Sequence, residues 1–180
     1  MNICLIGGEL FFPHRGCQTG LLAVVLILLT VSCGDSANDA GCKLGDPVAI
    51  FSKEMPTVVD HNFNLNGDRG LETVNFDDGL VLELDQSGCE SVTQVFQFSV
   101  PQREDTQTTR ERVVGLFRYL GGKSTDLASF GLYANAFAEI LPEEVVRNQP
   151  YTLQPGMKVS IDELESGGNR IVRVKIFNEN

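Results

Sequence analysis

No tryptophan occurs anywhere in the chain, and only two histidines do, His14 and His61. Without tryptophan the chain lacks the large aromatic platform on which a sugar site often stacks its ligand. With so few histidines it cannot build a multi-histidine metal centre. Positive charge is also scarce. Lysine and arginine total 14 against 24 acidic residues, a net charge of -10, which argues against a basic face for nucleic acid or an anionic membrane. The nucleophile-elbow pattern G-x-S-x-G is missing. Phosphate-cradling glycine loops are missing too, since Gly121-Gly122-Lys123 closes a helical stretch instead of opening one.

Long apolar runs are equally few. The longest uncharged one, Leu21 to Val31, would cover roughly 17 Å as a helix, short of the ~30 Å hydrocarbon core of a bilayer. Its length suits the apolar region of a signal peptide, with Arg15 before it and small residues after it. The segment Thr30-Val31-Ser32-Cys33 resembles the lipobox of bacterial lipoprotein signal peptides, from which Thr30 departs because a leucine-like residue is usual there. The resemblance implies cleavage before Cys33, lipidation of that cysteine and a membrane partner held through the lipid anchor. Gly34 after the cysteine is similar to the outer-membrane sorting pattern, so the expected address is the cell envelope, at the outer membrane facing the periplasm or at the cell surface. Residues 1–32 then form a signal peptide, 33–46 a lipidated flexible tether that begins with the small, polar Cys33–Gly41 stretch, and 47–180 a single domain.

Five cysteines divide accordingly. Cys4 and Cys17 fall in the leader, Cys33 carries lipid, and Cys42 and Cys89 remain as an even pair, expected to form a disulfide in an oxidising compartment. That leaves no uncommitted thiol for cysteine–histidine catalysis.

From Pro47 to Val100 the apolar residues repeat every second position. Val48 and Ile50 alternate; His61, Phe63 and Leu65 share a face; Leu80, Leu82 and Leu84 follow, then Phe96, Phe98 and Val100. Asn66-Gly67, Asp78-Gly79 and Ser87-Gly88 are hairpin punctuation between them. The spacing predicts a five-stranded antiparallel meander. In such a meander the start of the first strand and the Asn66-Gly67 and Ser87-Gly88 turns lie at one end, where Cys42 and Cys89 meet. The period then changes. Val113, Leu116, Phe117 and Leu120 make one helical face, stopped by Gly121-Gly122. With Ser124 or Thr125 as N-cap, Leu127, Phe130, Ala134, Phe137 and Leu141 make a second, ended by Pro142. Met157, Val159 and Ile161, then Val172, Val174 and Ile176, flank Gly167-Gly168 as a closing hairpin. The fold class expected is α+β: an antiparallel sheet, made of the N-terminal meander and the C-terminal hairpin, with two helices packed on one face.

Residue patterns that carry chemistry are few. His61 beside Asp60 or another carboxylate has the composition of a general base, but a histidine on an apolar strand face more often satisfies a core hydrogen bond. Asn62, Asn64, Asn66 and Asp68 sit near the spacing of a calcium loop, with Gly67 at the glycine position. Asn62 replaces the leading aspartate, however, and Thr73 stands where the bidentate glutamate belongs, so a hairpin tip is the better reading. The acid groups Glu83 and Asp85, Glu139, Glu143 and Glu144, and Asp162, Glu163 and Glu165 are read as solvated rather than as a glycosidase pair. No catalytic residue and no cofactor is expected. Three classes of function remain: a non-catalytic envelope lipoprotein that binds or scaffolds another protein, an acidic inhibitor or immunity-type protein against a basic hydrolase, and a small-ligand carrier or hydrolase. A cavity lined by Phe96, Phe98, Phe130 and Phe137 would favour the last.

Overall fold

A two-residue period builds β1 (Val58–Asn66), β2 (Arg69–Phe76), β3 (Val81–Ser87) and β4 (Thr93–Pro101); after the helical stretch come β5 (Tyr151–Gln154), β6 (Met157–Ser166) and β7 (Asn169–Asn178). The computed structural model describes residues 45–88, 91–101 and 106–178, which fall within one compact unit, Asn38–Asn180. The strands form one antiparallel sheet in the order β1-β2-β3-β4-β7-β6-β5. The chain is thus α+β, with the meander and the closing hairpin joined where β4 pairs with β7. The turn chemistry follows the sequence. Gly67 has φ of 61° at the first position of the β1–β2 turn, and Gly167 and Gly168, at 60° and 77°, make a primed turn between β6 and β7.

The meander has four strands, one fewer than the alternation predicts. Residues 45–57 are not a strand; they form a strap whose backbone is bonded by side chains from the sheet. Glu72 accepts the amides of Ile50 and Phe51, and the Gln86 side chain donates to the Val48 carbonyl at 3.0 Å. Pro47 lies against Gly70 at one end of β2, and the Asp77 amide donates to the Thr57 carbonyl at the other end. The strap therefore runs the length of the strand. Because it spans the sheet as a strand would, the chain at Pro47 still enters at the end where the Gly88 amide donates to Asp68. Cys42 and Cys89 lie outside the described residues, as do Cys33 and the whole leader.

The first helix, α1 (Thr109–Gly121), begins with a reciprocal capping box: Thr108 accepts the Glu111 amide and Glu111 accepts the Thr108 amide. The second, α2 (Ala128–Ile140), follows a 3-10 turn at Thr125–Leu127. Ser124 stands extended at the N-cap of that turn, one of the two positions the sequence offers, but its side chain makes no cap bond and its hydroxyl is buried without a partner. The helices approach closely at Gly121, where a Cβ would stand 2.6 Å from the Gly131 amide nitrogen. At the other end of the pair Arg110 donates to the Ala138 carbonyl near the C-terminus of α2.

Phenylalanine fills the core. The Phe117 ring on α1 meets Phe96 at 5.1 Å, Phe98 at 5.7 Å, Phe130 at 6.0 Å and Phe137 at 4.9 Å between centroids. Most of these meet edge to face, the arrangement the ring quadrupole favours. The four phenylalanines that would have lined a pocket are core packing instead, all buried and in ring contact.

Candidate functional site

Among the described residues, polar side chains gather most notably in two places on the sheet. The first lies on the core side of the β1–β2 edge, where Gly70, Glu72, Val74 and Phe76 share a face. Glu72 is wholly buried, an arrangement a carboxylate tolerates only when fully hydrogen-bonded. Its Oε1 accepts the Phe51 amide at 2.8 Å and the Ile50 amide at 3.1 Å, and Oε2 shares the latter at 3.0 Å. His61 Nε2 stands 2.7 Å from the same Oε1. An oxygen that already accepts amides accepts from the ring as well, so we place the proton on Nε2. The carboxylate beside His61 is therefore Glu72, diagonally across the pair, and not Asp60. Asp60 pairs with Lys53 at 3.2 Å, which, with the His61 amide, holds its carboxyl below the ordinary value. Sequence reasoning missed Glu72. The signal was its place on an alternating strand, two residues from Gly70 and two from Val74.

The second place is the sheet face opposite the core. Here Arg69 and Leu71, Glu83 and Asp85, Val95 and Gln97, Arg173 and Lys175, and Ser160 and Asp162 line a groove of about 450 Å³ with Asn148 at its edge. Asn148 is held by its amide, which donates to the Ile161 carbonyl at 2.8 Å, and it adopts a positive φ of 56° that asparagine tolerates. Strand pairing arranges the charges in rows. Glu83 lies opposite Gln97, which lies opposite Arg173, which lies opposite Asp162. β3 thus carries an acidic rail of Glu83 and Asp85, and β7 a basic rail of Arg173 and Lys175. Between them runs β4 with Val95 and Gln97, so the rails stand two strand spacings, about 10 Å, apart. Gln97 links them: its amide donates to Glu83 at 2.6 Å and its carbonyl accepts from Arg173, also at 2.6 Å. Arg69 forks onto Asp85 with bonds of 2.9 and 2.6 Å. The rails are pre-oriented.

Other sequence candidates are dispersed. Asn62, Asn64 and Asn66 pair with Thr73, Leu71 and Arg69 along β1, and Asp68 is in the turn. Asn62 and Asn66 lie four strand steps apart, about 13 Å, whereas calcium ligands stand within about 2.6 Å of the ion. The hairpin replaces the loop. Glu163 is turned toward α1, accepting from Thr109 at 2.7 Å and pairing with Arg112 and Arg170 at 3.3 and 3.2 Å. Glu163 thus docks a helix to the sheet. Near the opposite end of α1, burial pushes the Tyr119 hydroxyl above its usual range, and Asp78 adds to that. Burial also pushes Asp78 up, but Tyr119, the Leu80 amide and Lys123 outweigh it and leave the carboxyl below its ordinary value. The hydroxyl is buried without a well-formed hydrogen bond, and the Asp78 carboxylate acts on it through its charge.

Among the described residues no helix is long and apolar enough to cross a membrane. No protein-family model, no curated protein and no solved structure matches the chain.

Proposed function

We propose that the chain is a non-catalytic cell-envelope lipoprotein that docks another protein in the railed groove of its sheet. The observation that carries this reading is the groove itself, with acidic and basic rows fixed on β3 and β7 and the half-apolar β4 strip between them. Such a surface recognises by charge pattern and register. In this reading both helices cover the other face, as the meeting of Phe117 and Phe130 with Phe96 supports, so the groove faces outward. His61 is structural: the carboxylate that holds it also ties down the strap.

Address completes the proposal. The lipobox-like Thr30-Val31-Ser32-Cys33 puts an acyl chain on Cys33, the tether spaces the domain from the outer membrane, and Cys42 bonds to Cys89. Entry of the chain at the Gly70 end of β2, beside Asp68 and Gly88, supports that disulfide. The inhibitor reading rests on the net charge of -10.

The test uses the intact protein in an envelope, with a photo-crosslinking residue at Gln97 or, as comparison, at Leu132 on α2. Docking in the groove gives a discrete protein adduct from position 97 only, abolished by Arg173→Glu. Equal labelling from both positions would sink the reading. Mass spectrometry of the same material reads an acylated N-terminal Cys33 and alkylation-resistant Cys42 and Cys89.

A further inference from the structure

The two edges of the sheet are unlike. β5 has four residues bracketed by Pro150 and Pro155, with its register broken between Thr152 and Gln154, the devices that keep an edge from pairing with another chain. β1 has nine residues and no proline or lysine. After the irregularity between Val58 and Asp60 its register is unbroken from Asp60 to Asn66, and Asp60 carries the only charge in that run. An edge this long and this nearly neutral belongs to a chain whose net charge is -10.

From this contrast we propose that β1 pairs antiparallel with β1 of a second copy, joining two sheets across a two-fold axis at Phe63. The main-chain geometry permits it. Because a two-residue turn closes the hairpin, Asn66 and Arg69 form a hydrogen-bonded pair, and by alternation so do Asn64 with Leu71 and Asn62 with Thr73. His61, Phe63 and Leu65 then direct their amides and carbonyls to the outer edge. Centred on Phe63, the copies set Phe63 against Phe63, His61 against Leu65 and Asn62 against Asn64, each contact repeated by symmetry. One face of the added seam gains an aromatic pair and covers Leu65, which is 46% exposed; the other gains amide pairs.

Electrostatics select this occupant. Asp60 falls opposite Asn66, so the two Asp60 carboxylates lie about 20 Å apart, beyond the screening length of roughly 8 Å at physiological salt. Each is already paired with its own Lys53. Along the paired run no other charged side chain of β1 meets its copy.

The experiment follows the mass of the intact protein in detergent by light scattering and sedimentation, from micromolar to about 0.5 mM, a span that covers weak to moderate dimers. The expected result is a concentration-dependent dimer. Leu65→Pro removes an amide that points outward and should raise the dissociation constant at least ten-fold with an unchanged circular dichroism spectrum. Leu65→Lys keeps that amide, adds charge to the seam and should weaken the dimer likewise, which guards against a proline variant that misfolds. Leu132→Lys on α2 should change nothing. A protein that stays monomeric throughout, or a dimer indifferent to both Leu65 substitutions, overturns the proposal.

Discussion

His61 and Glu72 meet at 2.7 Å across the β1–β2 hairpin, and the oxygen they share also takes the amide of Phe51 from the strap. One buried carboxylate thus joins an edge strand, its neighbour and a non-strand segment. Phe51 is the apolar counterpart: its ring stacks on Phe130 at 6.1 Å and meets Phe76 at the same distance, so the strap is sealed into the core from the residue that Glu72 anchors.

Removing the anchor should loosen the strap before it unfolds the sheet. Glu72→Ala leaves the Ile50 and Phe51 amides and the His61 ring without their acceptor in a buried setting, a loss of about 3 kcal/mol. Glu72→Gln keeps one acceptor and should cost less. Urea denaturation reads the size, and hydrogen exchange at Ile50 and Phe51 reads the place. Unchanged exchange at those amides in Glu72→Ala would show that the strap is held by Phe51 alone.

The alternation of Val48 and Ile50 reads as a strand, but Val48 is exposed and Ile50 half-buried, so the pair shares no buried face and makes no sheet pairing. What decides between strand and strap is where the backbone bonds go. Here they go to Glu72 and Gln86, polar residues at core-facing positions of β2 and β3, which in the sequence read only as breaks in an apolar pattern. β5 was invisible for the opposite reason: its prolines hide a short edge strand that pairs on one side only. The helices and the closing hairpin were legible because many residues repeat the same period. The groove was not, since Arg173 becomes a neighbour of Gln97 only through pairing between β4 and β7, far apart in the chain.

Stability should fall at alkaline pH through Tyr119. Its folded hydroxyl titrates above the ordinary value near 10, so between the two values the folded state keeps a proton that the unfolded state has lost. Stability is complete below about pH 10 and declines as pH rises beyond it. Tyr119→Phe removes this proton but keeps the ring beneath the Lys123 ammonium, which lies 3.8 Å from its centroid. The urea midpoint of Tyr119→Phe should therefore fall less between pH 10 and 11.5 than that of the wild type. Parallel profiles would refute the assignment.

Asp78 behaves in the other direction. Its folded carboxyl lies below the ordinary value near 3.9, so its stabilisation is present above that value and lost as pH falls through the folded one. Asp78→Asn should be less stable than the wild type at pH 7 and converge with it toward pH 2. Equal stability of the two proteins across that range would mean that Asp78 acts only through its bond to the Leu80 amide at 3.0 Å, which asparagine also accepts.

The helix pair has a steric test. A methyl at Gly121 would press on the backbone of Gly131, which cannot rotate away as a side chain can. Gly121→Ala should cost about 1–3 kcal/mol despite the better helix propensity of alanine. Gly115 on the same helix faces open space, and Gly115→Ala should stabilise by up to about 1 kcal/mol. Thermal melts of the two variants should shift in opposite directions.

The groove should tolerate substitution, which is what makes it testable as a docking surface. Arg69 and Asp85 form a forked pair, but the Arg69 side chain is 63% exposed, and exposed pairs contribute little after solvent screening. A double-mutant cycle with Arg69→Met and Asp85→Asn should return a coupling of about 1 kcal/mol or less, diminished by salt. Arg173→Glu should likewise leave the fold intact, because Arg173 contacts Gln97 at the surface and its strand is held by Val172 and Val174 on the buried face. Circular dichroism and urea midpoints near wild type would establish that any loss of crosslinking from Gln97 reports the charge pattern and not the fold. A coupling above about 3 kcal/mol, the range of buried pairs, would make the rails part of the scaffold instead.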